Sequence, residues 1–253
     1  MKLVLVRKQE EAKDTKSFYF KTEKKVIWLP GQYFYFTIPI LSTSDSRGPT
    51  RHFTISLSPT EGALIRLTTR IRNESGFKQT LDSLKMESEI EGEGPNGTFI
   101  LDENETGNHL LIAGGIGITP FRTFIKYNID KQSLANPIGK KLDNSKIYLI
   151  YSNSTPEEIV FRSELESWSE NYENIKVAMT ISKPEESKEK WTGLTGRIDE
   201  NLIKKQIKNW ELDIKNLTFW LCGPPSMVEA MERLLGTLKI TSDKVRSEKF
   251  TGY

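Results

Sequence analysis

Five short stretches of this chain combine residue types that could do chemistry together. The first is Arg51-His52-Phe53-Thr54-Ile55-Ser56. On a strand, alternate side chains share a face, so Arg51, Phe53 and Ile55 lie on one side and His52, Thr54 and Ser56 on the other. At a strand end, such a set could neutralise a phosphate, stack on a flat ring and offer a hydrogen bond. The plainer alternative is an ordinary strand with a surface arginine. The second stretch is SGFKQTL, Ser75 to Leu81. Ser75 suits a helix N-cap, Gly76 is permissive, and Lys78 falls in the first turn, so amides and an ammonium would converge on a diphosphate. A first-turn lysine opposes the helix dipole unless an anion sits there.

The third stretch is HLLIAGGIGITPF, His109 to Phe121. Leu110 to Ala113 has the length of a buried strand, and Gly114, Gly115 and Gly117 follow as a turn. Thr119 and Pro120 then open a helix, Pro120 suiting its first position. Backbone amides of such a turn can approach a phosphate closely. The spacing departs from the dinucleotide fingerprint GxGxxG, because Pro120 stands at the third glycine, and an ordinary glycine turn is the competing reading. The fourth stretch, FWLCGPPSM from Phe219 to Met227, repeats strand, turn and helix, with Ser226 placed to cap the helix. Cys222 sits at its turn, where a core residue or a ligand contact would both be natural. The fifth, SEKFTGY from Ser247 to Tyr253, sets Glu248 and Phe250 two apart, as a frayed tail or as a cover over a site.

The elements that must position these residues divide the chain in two. Up to about Leu101, short β-branched and aromatic runs are separated by turn formers: Leu3–Val6, Ser17–Thr22, Tyr33–Ile38, His52–Ser56, Leu64–Ile71 and Glu87–Glu91. That spacing predicts a small antiparallel barrel or sandwich. Phe77, Leu81 and Leu84 share one face of a single helical interruption. After the polar run 102–108, apolar runs alternate with helical stretches: 110–113 then 121–127, 147–151 then 161–168, 175–181 then 201–207, 217–222 then 227–235, with a last strand near Val245. This alternation predicts βαβ units and a five-stranded parallel sheet. The expected division is 1–103 and 108–253. In a parallel α/β sheet both glycine turns lie at the carboxyl ends of strands, where ligands bind. Stretches 130–145 and 183–190 are expected on the surface.

Bulk properties narrow the function. The 253 residues carry 36 basic and 34 acidic side chains for a net charge of +2, which argues against nucleic-acid and membrane-surface binding. One cysteine excludes an internal disulfide and a cysteine-ligated iron–sulfur cluster held by this chain alone, and two separated histidines speak against a metal site. MKLVLVRKQEE offers too short an apolar run for a signal peptide, and no run reaches the ~20 residues of a membrane span. A cytoplasmic location is expected.

In order and spacing, RHFT, GGIGITP, CGPP and EKF together resemble the ferredoxin–NADP(+) reductase superfamily, as do PGQY at 30–33 and GPNGTF at 94–99. The resemblance spans residues 30 to 250 and implies an FAD-binding β-barrel followed by an NAD(P)-binding α/β domain, without a fused iron–sulfur domain. By position, it places Arg51 on the FAD diphosphate, with Gly76, Phe77 and Lys78. Phe53 would lie against the isoalloxazine beside His52, and Thr54 near the flavin N5. Gly115, Gly117, Thr119, Pro120, Gly223 and Pro224 would line the nicotinamide nucleotide. Cys222 would lie under the nicotinamide carbon that donates hydride, and Glu248 with Phe250 would face the flavin, making Thr54, Cys222 and Glu248 the implied catalytic set.

The implied activity is hydride transfer from NADPH or NADH to FAD, then single-electron release to a carrier such as ferredoxin or flavodoxin. A reductase subunit serving a separate oxygenase or haem component, and a flavin- or nucleotide-binding redox sensor without turnover, remain as alternatives. Three positions depart from the family pattern: Phe53 replaces the usual tyrosine, Leu57 a second serine, and Ser154 a basic residue common in relatives, which leaves the choice of NADH or NADPH open.

Overall fold

The structure, a computed structural model, describes residues 1–101, 107–134 and 145–251. The first half contains β1 (Lys2–Ala12), β2 (Thr15–Thr22), β3 (Tyr33–Thr37), β4 (Thr50–Thr54), β5 (Ile65–Arg70), α1 (Gly76–Ser83) and β6 (Glu89–Asn96). Its six strands form an antiparallel sheet in the order β4-β3-β6-β1-β2-β5. A bridge between Ile55 and Leu67 joins the two edges and closes the sheet into the expected barrel. Alternation places Leu3, Leu5, Phe34 and Phe36 inward, where Phe77 and Leu81 of α1 plug the same core. Ser75 caps α1 as its residue type predicts, its hydroxyl accepting from the Lys78 amide.

The second half runs β7 (Asn108–Gly114), α2 (Ile118–Leu134), β8 (Ile147–Asn153), α3 (Arg162–Asn171), β9 (Ile175–Ile181), β10 (Leu194–Thr195), α4 (Glu200–Asn209), β11 (Leu217–Gly223), α5 (Pro225–Thr237) and β12 (Val245–Lys249). All the strands pair in parallel, in the order β10-β9-β8-β7-β11-β12. The five expected strands are present, and the two-residue β10 extends one edge. β7 is buried on both faces: Leu111 and Ala113 join one core, Leu110 and Ile112 the other. The chain winds outward from β7 in one direction through β8 and β9 and in the other through β11 and β12. The switch point therefore falls between β7 and β11, whose carboxyl ends carry the two glycine turns.

Three local expectations need correction. α2 begins at Ile118 after a 3₁₀ turn over Gly115–Gly117, so Pro120 is its third residue; the missing N–H still costs nothing, because the first turn has no internal acceptor to offer it. α2 also runs on to Leu134 instead of ending at Tyr127, because Ile125 and Ile129 continue its apolar face. Helix α5 begins at Pro225 with Pro224 as its cap, which places Ser226 inside the helix with no capping bond. Of the two excursions and the interdomain run, residues 102–106 and 135–144 lie outside the described residues.

The halves are joined by aromatic packing, by a buried guanidinium and by further polar contacts, among them the Arg70–Glu158 ion pair at 2.7 Å, the Lys13 amide donating to the Glu157 carbonyl at 2.8 Å and the Gly31 amide donating to the Thr123 hydroxyl at 3.1 Å. Phe99, from the segment leaving the barrel, stacks on Phe124 of α2 and meets Trp220 of β11 edge-on. Beside them Arg122, 2% exposed, reaches from the first turns of α2 to carboxylates on either side. It donates to both oxygens of Glu61 from the barrel half, one at 2.8 Å, and to both oxygens of Glu164 on α3 at 2.7 and 2.9 Å. It also donates to the Ser56 carbonyl at 3.3 Å, just past β4. Burial lowers the basicity of Arg122, but the hydrogen bonds it donates to Glu164 and Glu61 outweigh this and hold it firmly charged. Removing one side of such a buried network leaves charge without compensation. We therefore expect Arg122→Ala to lower the unfolding free energy by about 3–5 kcal/mol in urea titration; a loss below about 1 kcal/mol would mean that the remaining contacts between the halves hold them without the clamp.

Candidate functional site

Two cavities meet where the barrel faces the parallel sheet. The barrel-side cavity, about 380 Å³, takes in most of the first predicted motif. β4 pairs with β3 so that Thr54 lies opposite Tyr33 and His52 opposite Tyr35. Arg51, His52, Phe53 and Thr54 all line this cavity, with Lys78, Thr119, Glu248 and Phe250. His52 is exposed at its outer edge but packs its ring against Tyr33 and Tyr35, and this partial loss of solvent, with the nearby Arg47 charge, lowers its basicity. Phe53 is mostly buried between Phe36 and Phe77, showing only an edge to the cavity. Phe77 itself is fully buried in the barrel core, and Gly76 lies under the carbonyls of Thr43 and Ser44, so neither lines the cavity as a side chain.

Cations gather at this end. Lys78 is 5% exposed, and its ammonium is pushed down to about 8, first by burial and then by Arg72, Arg47, Arg51 and Arg70. Arg51 donates to the carbonyls of Arg47, Gly48 and Thr50 at 2.7 to 2.9 Å and pairs with Asp45. Sequence reading missed Asp45, Arg47 and Arg72, which line the same cavity. The signal for Arg70 and Arg72 is their spacing: Arg70 ends β5 and Arg72 follows two residues on, so two cations gather at one strand end.

The sheet-side cavity, about 440 Å³, opens over the two glycine turns at the switch point. Gly115 and Gly223 line it with Pro224, and the end of β8 contributes Asn153 and Ser154. Gly115 has φ +52° and open space where a Cβ would project, so its backbone presents itself to the cavity. Gly117 acts by packing instead. A Cβ there would lie 2.4 Å from the Cys222 carbonyl oxygen, so its lack of a side chain lets the two turns touch. Pro120 likewise lines neither cavity. Thr119, on the barrel side, holds the first turn by donating to the Ile116 carbonyl at 3.1 Å. Arg197, also missed, stands exposed on the lip.

Cys222 is fully buried at the end of β11, with Ala113 of β7 on one side and Glu248 of β12 on the other. Burial first, and then the Glu248 charge, push its thiol well above the usual range, so it is a neutral packing group rather than a nucleophile. Burial also raises Glu248, to about 7. Phe250 is fixed by its amide, which donates to the Gly223 carbonyl at 2.9 Å. Gly252 and Tyr253 of the terminal motif lie outside the described residues. Phe250 and Arg72 line both cavities and form their common wall.

The cavities fit flat, phosphate-bearing cofactors on two observations besides shape. Among the described residues Arg72 Nε and Glu248 Oε2 are buried without a hydrogen-bond partner, and both belong to cavity-lining residues. Polar groups so placed suit a polar ligand. The donor set, with Arg47, Arg72, Lys78 and the capped start of α1, is the chemistry of a diphosphate site.

The chain matches two family models: an oxidoreductase FAD-binding domain over residues 2–101 and an oxidoreductase NAD-binding domain over 111–233. NADH-cytochrome b5 reductase 1 of Scheffersomyces stipitis is 31% identical over 197 residues, which are 78% of this chain and 64% of that protein. The chain therefore spans less than two thirds of that relative. Among solved structures, the human Ncb5or CS-b5R domains share 23% identity with a TM-score of 0.80, covering 98% of this chain and 68% of that one. A ferredoxin-NADP+ reductase of Plasmodium falciparum shares 18% with a TM-score of 0.77, covering 98% and 96%. At these identities the two structures show a common fold.

The raised Glu248 carboxyl has a thermodynamic consequence. The folded chain keeps its proton up to about pH 7, whereas the unfolded chain releases it near 4.5. Stability is thus lost as pH rises from about 4.5 to about 7 and stays lost above. Glu248→Gln removes this dependence, so denaturation at pH 5 and pH 8 should find the variant gaining on the parent at the higher pH by roughly 1–3 kcal/mol. An unchanged difference would place the carboxyl in water.

Proposed function

This chain belongs to the ferredoxin–NADP(+) reductase superfamily, and within it we propose an NAD(P)H-dependent flavoprotein reductase that passes electrons singly to a small redox protein. In this reading residues 1–103 hold FAD and residues 108–253 the nicotinamide nucleotide. The observation that carries it is the shared wall: Phe250 and Arg72 border both cavities, one in the barrel and one at the switch point of the parallel sheet. Bound FAD would accept two electrons as hydride from the nicotinamide and release them one at a time.

The chain's own part is binding and orientation. Arg72 and Lys78, with the α1 amides, neutralise phosphate charge. Thr54, buried opposite Tyr33, offers a hydroxyl at the barrel edge of the cavity. Gly115 and Gly223 give the nucleotide close backbone approach, and the fully buried Cys222 packs beneath the turn that Gly117 touches. Glu248, neutral below about pH 7, can hold a proton at Oε2 beside the junction. Phe250 covers the junction and excludes water. Holding two rings in a reactive orientation is worth several kcal/mol of barrier.

The acceptor is a one-electron carrier such as a ferredoxin, a flavodoxin or a cytochrome b5-type haem protein. The relative's name supports the haem carrier and the solved reductase's name the ferredoxin. The donor, NADH or NADPH, is read out in the same assay.

The purified chain, mixed with FAD, should take up one flavin and lose its visible flavin absorbance when NADH or NADPH is added without oxygen. A chain that takes up no flavin contradicts the reading, and flavin that neither donor bleaches points to the sensor alternative. Cys222→Ala should keep its flavin but bleach about tenfold more slowly, about 1.4 kcal/mol of barrier. Loss of flavin from that variant would instead place Cys222 in the fold of the FAD site.

A further inference from the structure

The donors that suit a diphosphate already hold an anion of the chain's own. Asp45 lies in the segment joining β3 to β4, its side chain 5% exposed. Its carboxylate accepts from the Phe77 amide at 3.0 Å, the Ser75 hydroxyl at 2.9 Å and the Arg47 amide at 3.0 Å, and it pairs with Arg51. One of these donors is a first-turn amide of α1 and another is the cap of that helix. The same segment lies on Gly76, where a Cβ would fall 2.4 Å from the Thr43 carbonyl oxygen and 2.7 Å from that of Ser44. It therefore closes over the helix start that a phosphate would approach.

A diphosphate seated at α1 needs the amide, the hydroxyl and the guanidinium that Asp45 holds. Two anions on one donor set repel each other, and each bond is charge-assisted for only one of them. Arg47, Arg72 and Lys78 face the place as further cations, with Glu74 and Glu248 as further carboxyl groups on the cavity wall. Residues 38–49 contain no strand or helix; Ile38 and Pro49 close their base by a backbone bond of 3.0 Å and the Ser42 amide donates to the Thr80 hydroxyl at 2.9 Å, so withdrawal of Asp45 is a local movement of the turn that carries it.

We propose that Asp45 is an internal competitor for the cofactor diphosphate, holding Arg51 and the start of α1 until a dinucleotide displaces it. This rests on the reading of the barrel cavity as the flavin site. Apparent affinity is then the intrinsic affinity reduced by the fraction of chains with Asp45 withdrawn. The opposite role, a strut that must stay to hold Arg51 in place, predicts the opposite effect of removing the charge.

Asp45→Asn keeps the shape and one of the two acceptor oxygens while deleting the charge. Binding of FAD, of riboflavin and of inorganic pyrophosphate is measured on both chains by flavin fluorescence and calorimetry. Competition predicts FAD and pyrophosphate bound at least fivefold tighter by the variant, with riboflavin, which has no phosphate, unchanged. Weaker or equal binding of both phosphate ligands overturns it. If FAD binds neither chain but pyrophosphate binds the variant more tightly, the flavin reading fails and the competition stands; if pyrophosphate binds neither, the competition falls. A second measurement needs no variant: in the parent chain the FAD association rate should level off as FAD is raised, because withdrawal of Asp45 comes first. A rate that rises linearly throughout overturns the proposal even where Asp45→Asn fails to fold.

Discussion

The arrangement depends on one buried guanidinium held between two carboxylates. Arg122 is nearly inaccessible, and its forks engage Glu61 from the barrel half and Glu164 on α3. It stands on α2, the helix that the first glycine turn feeds, so whatever fixes Arg122 also fixes that turn against the barrel. Arginine suits this position because its planar fork can bind two carboxylates at once and stays charged when buried. Ser56, just beyond β4, accepts from the same side chain, which ties the clamp to the strand that carries Arg51 and Thr54.

That register gives the switch point its value. A glycine turn at the end of a parallel strand can bind a nucleotide in many folds; here the turns after β7 and β11 face a barrel whose own cavity shares Phe250 and Arg72 with theirs. Two small residues maintain the geometry without touching a cavity. Gly117 lets the first turn rest on the Cys222 carbonyl, and Cys222 fills the space beneath with a neutral, buried thiol. The charge pattern divides the labour further, with cations around α1 and the protonatable Glu248 at the junction.

The elements were largely legible, because period-two and period-3.6 patterns follow from local geometry. Phe34 and Phe36 announced β3, and Phe77 with Leu81 announced α1. Boundaries were less so: α2 outran its expected end because Ile125 and Ile129 extend a face that polar neighbours obscure, and the Pro224-Pro225 pair started α5 before Ser226 could cap it. Of the site residues, those in motifs fell at or beside the cavities, although Gly76, Phe77, Gly117, Pro120 and Cys222 support the walls rather than line them. What the sequence hid was long-range pairing. Nothing local marks Arg122, whose partners stand 61 and 42 residues away, or tells that Asp45 reaches the start of α1 across 32 residues.

The clamp sets the relation of the two cavities, and the proposed electron transfer depends on that relation. The most direct measurement is the rate of flavin bleaching at saturating donor in Arg122→Met, with FAD content and donor affinity determined on the same preparation. We expect near-normal binding of both and a bleaching rate reduced at least tenfold, since most of each cavity's lining comes from one half while the register between the halves is lost. An unchanged bleaching rate with both cofactors bound would contradict this and would leave the aromatic contacts of Phe99, Phe124 and Trp220, with the Arg70–Glu158 pair, to hold the register.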